Sequence, residues 1–139
     1  SKKGLIAVDV DKASLLWSVN QMSSYYANSI SELQSGDLIS VDRAGLITKT
    51  SADAKFLWKT ELAKEVLSMP VQLINDHTMV LTRDGSLFVV DNNSGTLKFK
   101  GKIPGQDSFV IDAMHEIIEG LSFVTFVSES GHLYRYGIN

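Results

Sequence analysis

Two tryptophans, Trp17 and Trp58, stand 41 residues apart, and another large aromatic, Phe99, follows after a further 41. Glycines keep similar time: Gly4, Gly45, Gly85 and Gly131 are separated by 41, 40 and 46 residues. Each glycine opens a short apolar run, as in Gly85-Ser86-Leu87-Phe88-Val89-Val90. The ten residues before each aromatic share one layout, from Ala7 to Trp17, Thr48 to Trp58 and Val89 to Phe99. A small or apolar residue comes first, then Asp or Thr, a polar residue, a small residue and the aromatic. Two markers on one period constrain the chain more than any single motif, because periods of about 20–50 residues belong to repeat architectures.

The unit around Phe99 shows what a repeat contains. Val71 to Ile74 is a short apolar stretch, and Asn75-Asp76-His77 is turn chemistry. Thr78 to Thr82 is β-rich, and Asp84-Gly85 before the next apolar run is a hairpin signal. Ser86 to Asp91 is a third strand, Asn92 to Gly95 a second turn, and Thr96 to Lys100 a fourth strand. Four short antiparallel strands every 41 residues is the content of a β-propeller blade. The remaining chain divides in the same frame: residues 1–20 as half a blade, 21–61 and 62–101 as blades, 102–139 as most of one. Leu5–Val10 and Leu15–Val19 form the half blade. Tyr25–Ile30, Asp37–Val41, Leu46–Thr50 and Phe56–Thr60 form the next. Phe109–Ala113, Ser122–Val127 and His132–Tyr136 form the last. Glu61–Met69 has helical propensity and reads as a helical turn between blades. Val110–Glu119 has apolar residues near helical spacing, but is read as a strand followed by an extended connection. The expected fold is therefore all-β: about three to three and a half blades, an incomplete ring. Propellers close with about 4–8 blades.

Composition narrows the function classes. Hydrophobic residues are 44% and charged residues 21% of 139, enough apolar content for a packed core. Thirteen basic against sixteen acidic residues leave a net charge of −3, and no basic cluster exceeds Lys2-Lys3, so no nucleic-acid footprint is expected. No apolar run approaches the roughly 20 residues of a membrane span. The absence of cysteine excludes disulfides, thiol catalysis and Cys-ligated zinc. Residue 1 is Ser, which reads as a processed or trimmed start.

Ala7-Val8-Asp9…Ala13…Trp17 and Val89-Val90-Asp91-Asn92-Asn93-Ser94-Gly95…Phe99 resemble the tryptophan-docking motif of quinoprotein-type propellers, the PQQ-like repeat family. The resemblance covers most of the chain with a degenerate motif: Ala13 and Ala54 replace Gly, and Phe99 replaces Trp. It implies that Trp17, Trp58 and Phe99 are structural docking aromatics, each lying on an outer strand against the small-residue turn of the neighbouring blade. A buried indole removes about 150–250 Å² from water, and small residues opposite leave room for it. WD-repeat signatures are absent, which makes that class the second choice.

Some propellers of this family are dehydrogenases that carry pyrroloquinoline quinone and calcium in a complete ring. This chain supplies neither a closed ring nor an adjacent cysteine pair, and it is read as no enzyme, with no cofactor and no metal. Asp42, Asp84 and Asp91 fall in turns, where carboxylates cap backbone N–H groups. His77, His115 and His132 lack the spacing of a zinc site, and Asp91–Gly95 lacks the span and terminal Glu of a calcium loop. Asn92-Asn93-Ser94 is a glycosylation sequon, a signal common by chance. No phosphate loop or nucleophile elbow is present.

The expected function is a non-catalytic interaction scaffold, with a ring completed by further blades of the same protein or by another chain, a homodimer included. Tyr25, Tyr26, Ile103 and Pro104 are the candidate partner-binding residues, because loops on a rigid body carry function. One alternative is a periplasmic accessory propeller resembling the lipoprotein of outer-membrane β-barrel assembly, which favours an extracytoplasmic location. The other is a fragment of a quinone-dependent dehydrogenase. No nucleic acid and no membrane span are expected.

Overall fold

The computed structural model describes residues 4–20, 29–62, 70–82, 84–102 and 109–138. Among them are thirteen strands and no helix. Strands β1 (Gly4–Asp9) and β2 (Ser14–Asn20) form the first sheet, a two-stranded hairpin. Strands β3 (Ile30–Glu32), β4 (Leu38–Val41), β5 (Leu46–Thr50) and β6 (Phe56–Glu61) form the second. The third holds β7 (Val71–Leu73), β8 (His77–Leu81), β9 (Ser86–Asp91) and β10 (Leu97–Lys102). The fourth holds β11 (Phe109–Ile118), β12 (Leu121–Ser128) and β13 (Leu133–Ile138). Every sheet is an antiparallel meander in chain order, with no closed barrel.

One element is described only in part and another differs from the sequence expectation. Among the described residues the first strand of the second sheet is Ile30–Glu32, with Ile30 opposite Ser40 and Glu32 opposite Leu38; most of the expected strand Tyr25–Ile30 lies outside the described residues. The opening strand of the fourth sheet runs on to Ile118 instead of ending at Ala113. Its apolar spacing had pointed both ways, and pairing decided it: His115 lies opposite Val124 and Ile118 opposite Leu121. Glu119 and Gly120 close that hairpin with φ of 52° and 79°, the left-handed pair that a two-residue turn demands. The helical reading of Glu61–Met69 falls largely on residues 63–69, outside those described.

Successive sheets pack face to face. Ile39, Val41 and Ile47 of the second sheet bury against Val80 and Val90 of the third. Met79, Leu81 and Val71, on the opposite face of the third sheet, bury against Val124 and Phe126 of the fourth. Alternate residues of β8 therefore face opposite neighbours, as strand geometry requires. This explains why Thr78-Met79-Val80-Leu81-Thr82 is buried throughout instead of alternating. The outer strands β6 and β10 are mostly exposed.

Hairpin glycines set the inner turns. Gly45, Gly85 and Gly131 have φ of 86°, 78° and 84°, and each donates its N–H to the carbonyl three residues back. Only glycine enters that region at no steric cost, which accounts for the 40-residue beat in the sequence.

Candidate functional site

The features with the most specific geometry are the joints where an outer strand of one sheet meets the next sheet. Trp17, on β2, donates its indole N–H to Ala52 O at 3.1 Å. Trp58, on β6, donates to Asn92 O at 3.0 Å. Both acceptors lie in the turn between the third and fourth strands of the following sheet.

The turns are built alike. Ala13, Ala54 and Gly95 occupy the same place, four residues after Asp9, Thr50 and Asp91, with φ of 49°, 65° and 72°. The small residue of the motif is thus a left-handed residue. At Gly95 it is also a steric necessity: an added Cβ would lie 2.7 Å from the Trp58 ring. Thr60 Oγ1 donates to Gly95 O at 2.5 Å beside it.

Carboxylates brace two of these turns and two of the inner hairpin turns, while Ser51 Oγ accepts the Lys55 N–H in the turn at Ala54. Asp91 Oδ1 accepts the N–H groups of Asn93 and Ser94, each at 2.9 Å, and the Ser94 hydroxyl at 3.0 Å. The Ser94 N–H, chief among these donors, lowers the Asp91 pKa. Asp9 accepts from Asp11 and Lys12 in the same way. Asp42 Oδ1 accepts the Leu46 N–H at 2.9 Å. Asp84 accepts the Ser86 N–H at 3.1 Å and the Thr82 hydroxyl, and the latter contributes most to lowering its pKa.

Each acceptor carbonyl is fixed from behind. Asn92 is buried, its side-chain oxygen accepts Thr78 Oγ1 at 2.5 Å, and its amide nitrogen donates to Gln72 at 3.0 Å. Its N–H donates to Asp76 O at 2.8 Å. In the second sheet the Ala52 N–H donates to Asp37, whose carboxylate also meets Lys49 at 3.1 Å. The Lys49 hydrogen bond is the main cause of Asp37's lowered pKa. Sequence reasoning missed this polar backing, because Thr, Asn and Lys on strands give no pattern that distinguishes a buried network from a solvated face.

Phe99 sits differently. It lies on β10, two residues before Gly101, and an added Cβ at Gly101 would stand 2.7 Å from its ring. The ring thus lies along its own strand and is 54% exposed. It borders a cavity of about 490 Å³ between the third and fourth sheets, lined also by Leu73, Met79, Leu87, Val124 and Tyr136. Burial raises the Tyr136 pKa. Tyr25, Tyr26, Ile103 and Pro104 lie outside the described residues.

The histidines are local partners. His115 Nε2 and Ser122 Oγ stand 2.5 Å apart across β11 and β12, and His132 Nδ1 lies 3.0 Å from Ser130 Oγ. On the other face of β11, Glu116 pairs with Arg135 at 2.9 Å and accepts Thr125 Oγ1. No group of three or more metal-ligating side chains occurs among the described residues. No helix among them is long and apolar enough to cross a membrane.

Four meandering sheets stacked in chain order, the first three joined through Trp17 and Trp58, define a partial β-propeller. Comparison with known proteins agrees at the level of fold. The chain is similar to the crystal structure of BamB from Moraxella catarrhalis, with a TM-score of 0.71 and 18% identity over 97% of this chain and 44% of that one. It is similar to BBS1N, crystallised in complex with ARL6DN, with a TM-score of 0.74 and 8% identity over 97% and 44%. It also resembles the computationally designed Ika4 protein, with a TM-score of 0.74 and 15% identity over 99% and 81%. The chain thus spans less than half the length of the first two. No protein-family profile and no curated protein sequence matches. Matches extend to 223 solved chains, so the architecture alone selects no activity.

Proposed function

We propose that this chain is a non-catalytic propeller scaffold that works by joining its open sheets to further blades or to another protein. One observation carries the reading: the middle sheets are four-stranded and buried, whereas the first and fourth hold two and three strands among the described residues. Apolar side chains are exposed on those two sheets. Ile6 is 68% and Leu15 62% exposed on the first, and Ile117 is 62% and Leu133 67% exposed on the fourth. Open strand edges with exposed apolar side chains invite strand pairing and association. The turn carboxylates support the non-catalytic part, since Asp42, Asp84 and Asp91 are engaged in holding backbone N–H groups. The likeness to BamB supports an accessory-subunit version of the same reading.

Sedimentation velocity across a wide concentration range, with a dye that reports exposed apolar surface, tests the proposal. Concentration-dependent association and strong dye binding are expected. A dye-silent monomer at all concentrations would overturn it. Reconstitution with pyrroloquinoline quinone and calcium should leave the quinone spectrum unreduced by alcohols or sugars. Reduction would instead support the dehydrogenase alternative.

A further inference from the structure

We propose that the outer edge of β6 pairs with the β6 edge of a second copy of this chain, antiparallel about a two-fold axis at Thr60, with Lys59 of each copy opposite Glu61 of the other. β6 is the fourth strand of a complete four-stranded sheet in the middle of the sequence, and its outer side has no partner strand among the described residues. Neither the first nor the fourth sheet takes part, so this interface is separate from the open sheets of the scaffold.

Backbone direction on β6 follows from its neighbours. The Leu62 N–H donates to Gly45 O, so Leu62 turns its peptide groups toward β5. Antiparallel strands alternate in this respect. Thr60 therefore turns toward β5 as well, and Lys59 and Glu61 turn their N–H and C=O groups outward. Leu46 agrees: it lies opposite Glu61 but makes its bonds to Asp42. In a two-fold pairing, outward residues meet outward residues. Lys59 against Glu61 satisfies that rule and sets opposite charges across the new ladder, twice over. Opposite charges directly across strands stabilise, and like charges destabilise. Both side chains are exposed, and neither forms an ion pair with another described residue. Phe56 and Leu57 lie exposed on the same strand, and an apolar edge of that kind invites pairing. A ladder this short buries less than about 1,000 Å², so the pair is weak and concentration-dependent.

β10, the outer strand of the next complete sheet, shows what a guarded edge looks like. Ser86 lies opposite Lys102 but bonds to Thr82, so Lys102 and, by alternation, Lys100 point their peptide groups outward. A two-fold pairing centred on this stretch sets lysine against lysine, which repels. Lysine is a common guard on edge strands for that reason. The β10 lysines are also engaged within the sheet: Lys98 meets Asp91 at 3.8 Å, and Lys100 Nζ lies 5.5 Å from the centre of the Phe88 ring. β6 has one lysine and one glutamate in its two outward places. It therefore accepts its own copy where β10 rejects it.

Charge reversal in the full chain, followed by sedimentation velocity across a wide concentration range, tests the pairing. Lys59→Glu sets acid against acid, and Glu61→Lys sets base against base. Each single variant should dimerise about tenfold more weakly than the parent or worse, because two attractive pairs become repulsive. An equimolar mixture of the two variants should recover dimerisation, since the acidic edge of one then faces the basic edge of the other. The double variant should recover it too. Both side chains are exposed, so melting temperatures should stay near the parent's and confirm folding. In the parent, the Lys59 and Glu61 amides should exchange more slowly as concentration rises. Equal association in the parent and both single variants would overturn the assignment. So would a mixture no stronger than its components, or β6 amides indifferent to concentration. A monomer that binds the apolar dye strongly defeats the β6 pairing and leaves the scaffold reading standing. A dye-silent parent that dimerises through this edge alone defeats the scaffold reading and leaves the pairing standing.

Discussion

The two successive joints of the third sheet use the same strand position in opposite ways. On one side, Trp58 is half-buried, bonded to a fixed carbonyl and seated on a glycine that leaves it no spare room. On the other, Phe99 lies along its own strand beside an open cavity. The aromatic therefore does not make the joint by itself. A joint also needs the turn opposite, a left-handed small residue and a polar network behind the acceptor.

The largest expected effect comes from removing the ring at the filled joint. Trp58→Ala should cost about 3–5 kcal/mol, read from chemical denaturation, because it removes a ring packed against the buried group of Ile39, Val41, Ile47, Val80 and Val90. Gly95→Ala attacks the same joint from the other side. Its Cβ would overlap the ring, costing about 1–3 kcal/mol, and the left-handed backbone adds about 1–2 kcal/mol. Asn92→Ala should cost about 1–3 kcal/mol by removing a partner of both Thr78 and Gln72, which keep only their bond to each other. Phe99→Ala should cost only about 1 kcal/mol, since much of the ring already meets water. A Phe99 cost equal to that of Trp58 would erase the contrast between the joints. Ala54→Gly is the smallest and opposite in sign. It should stabilise by about 0.5 kcal/mol, as relief of left-handed strain slightly outweighs the added freedom of the unfolded chain.

Acid sharpens the comparison further. Asp37, Asp84 and Asp91 all have pKa values lowered in the folded chain. Their stabilisation is complete above the ordinary carboxylate value of 3.8 and is lost as pH falls through the lower folded values. Melting temperatures followed from neutral pH to pH 3 should drop over the last stretch, and Asp37→Asn should flatten that drop. A parent profile that stays level there would show that these turns do not depend on charge.

Much of the strand plan was legible because Gly and Asp hold the turns. Asp84-Gly85 and Asp91–Gly95 carry their backbone conformation in residue type, so a 41-residue beat could be read directly. The length of β11 was not legible, because Val110, Met114 and Ile117 fit a helix or a strand equally well. The deciding turn, Glu119-Gly120, is a weaker hairpin signal than Asn-Gly or Asp-Gly. The place of β3 was hidden for another reason: a strand of three residues, Ile30–Glu32, is set by its pairing with β4 and carries no period to read. At the candidate site, the aromatics were legible from their period. The difference between Trp58 and Phe99 was not, since it depends on Thr60 against Gly101 and on which turn stands opposite.

The burial of β8 on both faces makes the third sheet a shared wall, with no solvent-facing side of its own along that strand. A wall of that kind cannot loosen alone: its amides open only when the second or fourth sheet has first swung away. Exchange and proteolysis should therefore advance inward from the β1–β2 hairpin and from β13, and reach Met79 to Leu81 last.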